Sequence, residues 1–305
     1  MQFLPRVVRH FRVSVPGGVA SILTRRALAL GCALVAGCSA ALAQGDAKNG
    51  RYLAAAAGCA GCHTEVTTGA APYAGGRVLD TPFGTFYGPN ITPHPRHGLG
   101  EWSETDLRRA LRSGERPGRG HYYPALPYPS FTGMTDADIR DLWAYLRSLP
   151  PVDRASRPHE LRFPFGWRAL VAVWKWLFFA PRAFVPDPRA SASVNRGAYL
   201  VNVLGPCGEC HTPRNFLGGP KKSRHLAGGT LPDGRVPNLT PTRLKRWSDA
   251  QLREFLRSGA TPEGDAPSDT MYEVIRSTTS QLTAQDLDAM VAYLRSLPAL
   301  PDEPK

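Results

Sequence analysis

Apolar residues with helical spacing occur in two matching segments of the chain, residues 135–150 and 283–298. They recur at intervals of three and four residues, which places them on one face of an amphipathic helix. Each segment begins with Thr-x-x-Asp, which resembles a capping box, and ends at a proline. The apolar positions are Ile139, Leu142 and Leu146 in the first segment and Leu287, Met290 and Leu294 in the second.

The remaining pattern predicts further helices and no sheet. Serine N-caps and closing glycines predict shorter helices over 103–114 and 248–259, and we expect helices around 51–57 and 197–204 as well. Strand-like alternation of apolar and polar residues is not sustained anywhere. We therefore expect an all-α fold with long loops.

Short motifs recur in the same order in both halves of the chain. Residues 89–93 read Pro-Asn-Ile-Thr-Pro and residues 237–241 read Pro-Asn-Leu-Thr-Pro, at an offset of 148. The residues at 144–150 return unchanged at 292–298 with the same offset. Such a repeat indicates a duplicated domain. The predicted domains span 44–152 and 191–305.

A different kind of sequence, residues 153–190, links the two repeats. It contains an aromatic, apolar stretch over 165–179 that predicts an amphipathic helix. Arg168 and Lys175 interrupt this stretch, and it is too short to span a bilayer. It is either a connecting helix packed between the domains or a contact for a partner subunit or the membrane surface.

The N-terminal residues 1–43 are typical of an export signal. Two arginines precede an apolar run over 27–43 that ends in Ala-Leu-Ala, a small-x-small cleavage site. Residues 35–38 also resemble a lipobox, which would leave Cys38 lipidated, and an uncleaved anchor is the third alternative. In all three cases we expect a periplasmic protein, outside the cytoplasmic membrane.

The chain is basic, with a formal net charge of +12. Five arginines and no acid lie in residues 1–43, so the rest of the chain carries about +7. Strong basicity is typical of nucleic-acid binding. However, no basic run is longer than Lys221-Lys222, and no nucleic-acid motif is present. We therefore expect no nucleic-acid partner.

Two Cys-x-x-Cys-His sequences, at 59–63 and 207–211, carry the candidate chemistry. This spacing is the attachment signature of c-type haem, in which two thiols form thioethers and the adjacent histidine ligates the iron. We predict two covalently bound haem c groups. The attachment residues are Cys59, Cys62, Cys207 and Cys210, and the proximal ligands are His63 and His211.

Other functions of this motif remain alternatives. The cysteines would suit a disulfide framework, a dithiol redox motif or a structural zinc site, and the motif also occurs by coincidence. A dithiol motif does not need the histidine, and a zinc site would require ligands from both copies to converge. The export signal, the duplication and the helical context together favour haem.

Three stretches carry a resemblance to a known family. They read Gly-Pro-Asn-Ile-Thr-Pro at 88–93, Tyr-Pro-Ala-Leu-Pro-Tyr at 123–128 and Gly-Pro-Cys-Gly-Glu-Cys-His-Thr-Pro-Arg-Asn at 205–215. Both halves resemble class I cytochrome c domains. Over roughly residues 45–299 the chain is similar to the diheme cytochrome c family, which is related to the cytochrome c subunits of bacterial membrane-associated dehydrogenases.

The resemblance implies electron transfer from a dehydrogenase catalytic subunit to an acceptor, either a cytochrome or an oxidase. A non-catalytic carrier or oxidoreductase subunit is expected, because no catalytic carboxylate pair, nucleophile triad or nucleotide loop is present. Two alternatives remain. One is a diheme peroxidase-like enzyme with one open haem, and the other is a structural or assembly subunit of a redox complex.

The second haem has one candidate for its sixth ligand. His–Met ligation raises the potential of a cytochrome haem, and only four methionines are available. Met271 lies 60 residues after His211, ahead of the last predicted helix, and we predict it to be that ligand. Met290 belongs to the apolar face of that helix and is expected to pack.

The first haem has no such clear candidate. Relatives often read Tyr-Pro-Ala-Met-Pro-Tyr, in which the methionine ligates the iron, whereas this chain has Leu126 at that place. Met134, eight residues later, is the predicted ligand. The alternatives are an open iron or a histidine, namely His121, His94 or His97.

The repeated asparagines Asn90 and Asn238 have two interpretations. They either form hydrogen bonds near a haem edge or cap turns in the loops.

Overall fold

Helices are the main regular secondary structure in the computed structural model, which describes residues 45–118, 120–231, 234–265 and 267–302. The first half contains α1 (Ala47–Ala56), α2 (Cys59–His63), α3 (Glu104–Ser113), α4 (Tyr128–Phe131) and α5 (Asp136–Ser148). Helix α6 (Ala169–Phe178) follows. The second half contains α7 (Ala192–Tyr199), α8 (Cys207–His211), α9 (Pro241–Leu244), α10 (Asp249–Ser258), α11 (Asp269–Ser277) and α12 (Ala284–Ser296). The predicted export signal, including Cys38, lies outside the described residues.

The predicted helix ends are confirmed. Helices α3 and α10 open with reciprocal capping boxes and close at a glycine in the left-handed conformation. Helices α5 and α12 open with a threonine whose hydroxyl accepts the backbone N–H three residues later. The capping residues are Ser103 and Thr135 in the first half and Ser248 and Thr283 in the second.

Short strands correct the prediction of an all-α fold. Strands β1 (Val78–Thr81), β2 (Gly84–Tyr87) and β3 (Glu160–Leu161) form an antiparallel sheet, and β4 (Gly229–Leu231) pairs with β5 (Gly234–Val236). These strands are two to four residues long, too short for their alternation to be recognised in the sequence. Because β3 pairs with β2, the start of the predicted linker extends a sheet of the first domain.

Both domains are built on a close helix crossing that only glycine permits. Helix α1 crosses α5 and helix α7 crosses α12. A Cβ atom on Gly50 would lie 1.9 Å from the carbonyl oxygen of Asp141, and one on Gly197 would lie 1.9 Å from that of Ala289. The absence of a side chain therefore sets the distance between the terminal helices in each repeat.

A π-helix, Leu200–Leu204, accommodates a difference in length between the repeats. Nine positions separate Gly50 from Cys59, whereas ten separate Gly197 from Cys207. An extra residue inside a helix is commonly absorbed as a π-bulge. The predicted helix over 197–204 is therefore helical throughout but changes type after α7.

Reciprocal tyrosine contacts join the two domains. The Tyr52 hydroxyl of α1 donates to the Asp286 carboxylate at 2.6 Å and accepts the N–H of Thr283 at 3.2 Å, at the start of α12. Its counterpart Tyr199 forms the same two bonds at the start of α5. Each N-terminal helix thus caps the C-terminal helix of the other domain.

The domains also share one hydrophobic core. The buried cluster includes Leu53 and Leu142 from the first domain and Leu204 and Leu287 from the second. By its contacts the chain from Gly45 onward forms one compact unit. The shared core and the tyrosine contacts fix the two repeats against each other.

The Asp286 carboxylate makes this interface sensitive to acid. Burial opposes its ionisation, but hydrogen bonds from Arg196, at 2.7 and 2.9 Å, and from Tyr52 hold the pKa of Asp286 below its ordinary value. The resulting stabilisation is fully present above the unfolded-state pKa of about 3.9 and is lost as the pH falls through the lower folded-state pKa.

We expect Asp286→Asn to lower the free energy of unfolding by about 2 kcal/mol at pH 7. The value lies below that for a fully buried ion pair because Arg196 keeps contact with water. Urea titrations of the haem-loaded protein at pH 7 and pH 3 measure it, with the exposed Asp265→Asn as control. The variant should lose less stability between these pH values than the wild type; an equal loss would contradict this role of Asp286.

Helix α6 contacts both domains, as expected of a connecting helix. The Lys175 ammonium donates to the carbonyl oxygen of Ser113, and the Trp174 indole donates to that of Leu217 at 3.0 Å. Its outer face is apolar and exposed, and includes Trp176, which is 82% exposed. Within the described residues no helix is both long and apolar enough to cross a bilayer.

Candidate functional site

The two Cys-x-x-Cys-His sequences form one-turn helices, α2 and α8. Residues three apart lie on the same side of a helix, so each pair of thiols faces one direction. None of the four cysteines forms a disulfide bond. The histidine is the last residue of each helix and lies beside the thiols.

A backbone carbonyl orients each of these histidines. His63 Nδ1 lies 2.8 Å from the carbonyl oxygen of Pro89, and His211 Nδ1 lies 2.7 Å from that of Pro237. Because a carbonyl only accepts hydrogen bonds, we assign the ring proton to Nδ1. The Nε2 lone pair is then available to a metal, as in other metal-ligating histidines whose second nitrogen is hydrogen-bonded.

The surroundings favour the neutral form of both histidines and the protonated form of Cys59 and Cys207. Burial lowers the pKa of His63 and His211, although the carbonyl contact acts in the opposite direction. Neutral imidazole is the form that binds metals. Burial and the neighbouring thiol raise the pKa of Cys59 and Cys207 to about 12, which weighs against a thiolate-based dithiol function.

The zinc alternative lacks a ligand set at these helices. Among the described residues, the one group of three or more His, Cys, Asp and Glu side chains with converging ligand atoms lies elsewhere, at His94, His97 and Asp153. The ligands of the two copies therefore do not converge on a common ion.

The repeated asparagines connect the loop that orients each histidine to the chain after the last helix of its domain. Asn90 Nδ2 donates to the carbonyl oxygens of Val152 and Arg154, and its Oδ1 accepts from the backbone N–H and hydroxyl of Thr92. Asn238 likewise holds the chain after α12 through the carbonyl oxygen of Leu300. In both repeats the Asn Oδ1 also accepts the N–H two residues later, which confirms the interpretation as turn caps. The bonds to the chain after α5 and α12 in addition anchor the proline carbonyls next to the asparagines.

The segments that lead into the two attachment helices lie next to each other across the domain interface. A Cβ atom on Gly205 would lie 3.5 Å from Cys207 Sγ and 3.9 Å from the carbonyl oxygen of Ala56 at the end of α1. The segment that leads into α8 therefore lies against the segment that leads into α2. Helix α11 also packs on α2, where a Cβ atom on Gly61 would lie 3.3 Å from the Ser277 hydroxyl.

The candidate sixth ligands occupy different environments. Met271 is half-buried in the first turn of α11, where its N–H bonds to the Ser268 hydroxyl. Met134 is 1% exposed and belongs to the shared core together with Phe131, so core packing also accounts for it. Leu126 packs at the edge of that core.

The histidine alternatives already have polar neighbours. His121 Nδ1 lies 3.0 Å from the Lys175 ammonium. His94 and His97 lie beside the Asp153 carboxylate.

Comparisons with known proteins agree with the geometry. The family model for cytochrome c matches residues 47–150 and again 195–298. The chain is 46% identical over 267 residues to a diheme cytochrome c-type protein of Cereibacter sphaeroides, covering 84% of this chain and 87% of the relative.

Two further relatives are cytochrome subunits of dehydrogenases. The fructose dehydrogenase cytochrome subunit of Gluconobacter japonicus is 40% identical over 83% of this chain. The cytochrome c subunit of the quinone-dependent alcohol dehydrogenase of Gluconobacter oxydans is 37% identical over 84%. The chain spans 52% of the length of the first and 55% of the length of the second.

The donor sets of α2 and α8 fit haem c. Each supplies two thiols on one side of a helical turn and a neutral histidine whose Nδ1 is tied to a carbonyl. A bound haem would supply one-electron chemistry at its iron, and the two cysteines and the histidine of each motif are the residues that would hold it. The chain therefore belongs to the cytochrome c family, as a protein of two tandem cytochrome c domains that bind two haem c groups covalently.

Proposed function

We propose that this diheme cytochrome receives electrons from the catalytic subunit of a dehydrogenase and passes them to a respiratory acceptor outside the cytoplasmic membrane. The contact between the segments that lead into α2 and α8 carries this proposal, because it would bring haems held at the two helices close to each other. The names of the fructose and alcohol dehydrogenase relatives support the choice of donor. The export signal predicted for residues 1–43 supports the periplasmic side.

Purification of the haem-loaded protein from its native cells tests this proposal. We expect a dehydrogenase catalytic subunit to co-purify, and its substrate to reduce both haems in the visible spectrum. Failure of substrate to reduce either haem would contradict the proposal. Turnover of hydrogen peroxide, with a high-spin haem in the oxidised protein, would instead support the peroxidase-like alternative. Loss of the complex without loss of electron flow, on deletion of the chain, would support an assembly role.

We propose Met271 and Met134 as the sixth ligands of the second and first haem. The volume-conserving substitution Met134→Leu should turn one haem from low-spin to high-spin, because leucine cannot coordinate iron. Electronic absorption and electron paramagnetic resonance spectra of the oxidised protein measure this. If both haems of the variant stay low-spin, Met134 is not a ligand. A change in the free energy of unfolding below about 1.5 kcal/mol would then fit a packing role alone.

We further propose that the outer face of α6 binds the surface of an anionic bilayer. Trp167 is 61% exposed and Val173 53% exposed, beside the still more exposed Trp176. Residues 161–186 contain no acid and three exposed arginines, at positions 162, 168 and 182. Each cation near an anionic surface contributes about 1 kcal/mol, and tryptophan side chains favour the interface.

Sedimentation with lipid vesicles tests this membrane contact. The protein should bind phosphatidylglycerol vesicles more strongly than phosphatidylcholine vesicles. The Trp167→Ser/Trp176→Ser double variant should lower the partition coefficient at least about tenfold, since burial of one large apolar side chain contributes about 1.5–3 kcal/mol. Val66→Ser, at an exposed valine outside α6, is the control. Equal binding of double variant and wild type would refute the contact, whereas binding only to a dehydrogenase would assign the face to that partner.

A further inference from the structure

We propose that His94, His97 and Asp153 form a binding site for a divalent transition-metal ion, such as Zn²⁺, on the first domain. His97 Nδ1 lies 2.7 Å and His94 Nε2 lies 3.5 Å from Asp153 Oδ1. One ligand atom from each of the three residues lies within 4.8 Å of the others. Neighbouring ligands of tetrahedral zinc are about 3.3 Å apart at bond lengths near 2.0 Å, so small side-chain movements complete the site.

The backbone around His94 is fixed before any ion binds. Proline precedes and follows this residue in the sequence, and each proline restricts its own φ. The carbonyl oxygen of His94 accepts the N–H groups of Gly98 at 3.0 Å and Gly100 at 3.1 Å. The two imidazole rings stack with their centroids 5.2 Å apart. A preorganised loop reduces the entropy that is lost on binding.

Asp153 is held in place from a different part of the chain. It follows Val152, whose N–H donates to the Thr92 hydroxyl and whose carbonyl oxygen accepts from Asn90. Both sides of the site are therefore tied to the 90–92 segment, next to the Pro89 carbonyl that orients His63. An ion bound here would connect that loop to the start of the linker.

The ligand set is specific to the first repeat. The loop after the Pro-Asn-x-Thr-Pro motif is three residues longer in the first repeat, since nine positions separate Pro93 from Trp102 and six separate Pro241 from Trp247. Residues 242–246 of the shorter loop contain no histidine and no acid, and the counterpart of Asp153 is Pro301. The second domain forms the same asparagine contacts without any of these three side chains. The shared cytochrome architecture therefore does not require the two histidines and the aspartate.

The donor types favour zinc or copper over magnesium or calcium. Imidazole ligands suit Zn²⁺ and Cu²⁺, whereas Mg²⁺ and Ca²⁺ prefer oxygen ligands. The Asp153 side chain is 68% exposed, so water has access to a fourth position. His94 Nδ1 accepts the N–H of His97 at 3.1 Å, which places the His94 ring proton on Nε2. Binding through Nε2 therefore moves this proton to Nδ1, so the neutral ring loses the hydrogen bond from His97 and gains a metal–nitrogen bond, with no net release of a proton.

Metal titration of the chelator-treated, haem-loaded protein tests the site. Isothermal titration calorimetry should detect one equivalent of Zn²⁺, stronger binding of Cu²⁺, and no binding of Mg²⁺. His97→Gln and Asp153→Asn should each weaken Zn²⁺ binding at least about tenfold, because loss of even an outer-shell partner weakens metal sites 10–100-fold. Zn²⁺ should also raise the Tm of the wild type but not of these variants.

Matched controls keep the result specific to this cluster. Glu101→Gln removes an exposed carboxylate from the neighbouring loop and should leave Zn²⁺ binding unchanged. Unaltered haem absorption in the variants would show that both domains are folded. The proposal is refuted if the wild type binds no Zn²⁺, or if His97→Gln and Asp153→Asn bind it as tightly as the wild type.

Discussion

Replacing Gly197 with alanine should destabilise the protein by at least about 3 kcal/mol. In an exposed helix the same change stabilises by about 1 kcal/mol, because alanine has the higher helix propensity. Here the new Cβ would lie 1.9 Å from the carbonyl oxygen of Ala289, so α7 and α12 would have to move apart. Overpacking a core typically destabilises a protein by about 1–3 kcal/mol. We expect a value at the upper end of this range, because the crowded atom belongs to the backbone and cannot rotate away.

Urea unfolding of the haem-loaded protein, followed by circular dichroism, measures this effect. Gly50→Ala should have a similar effect at the equivalent crossing of α1 and α5. Gly166→Ala is the matched control, since a Cβ there meets no atom within 4 Å. A Gly197→Ala protein as stable as the control would mean that the helices do not cross at this distance.

Replacing Met271 with leucine should convert one of the two haems to a high-spin state and lower its reduction potential. Leucine has nearly the volume of methionine but no sulfur, so it removes the proposed ligand and retains the packing of α11. Half of the low-spin signal in the oxidised protein should be lost. Spectropotentiometric titration should separate the lowered potential from that of the other haem.

Met290→Leu is the matched control for this experiment. Met290 is 3% exposed on the buried face of α12, so its position agrees with the packing role predicted from the sequence. Its replacement should leave both haem spectra unchanged. If Met271→Leu retains two low-spin haems, the sixth ligand of the second haem lies elsewhere.

The helix ends and the attachment residues could be predicted because their determinants are local. A serine or threonine cap, such as Thr283, and a helical repeat of apolar residues lie within one turn or a few turns of chain. Cys-x-x-Cys-His is likewise a contiguous signal. Strand β3 could not be predicted, because two residues hold too little pattern and its partner β2 lies far away in the sequence.

Other features depend on residues that are close only in the folded chain. Tyr52 caps α12 more than 230 positions away, and nothing adjacent to it in the sequence indicates that role. The carbonyl of Pro89 orients His63 through a backbone atom, which carries no side-chain signature. One part of the helix crossing did have a signal in the sequence. Gly50 and Gly197 each lie two positions before a tyrosine, which marks them as equivalent residues of the two repeats.

The reciprocal contacts of Tyr52 and Tyr199 have the form of an isologous dimer interface, in which the same patch serves on both sides. Two separate copies of one repeat would satisfy these contacts around a two-fold axis. Fusion into one chain replaces the protomer concentration with a fixed effective concentration set by the linker. The two copies were then free to diverge, and Arg196, which stands where the first repeat has Asn49, marks such a divergence within the interface.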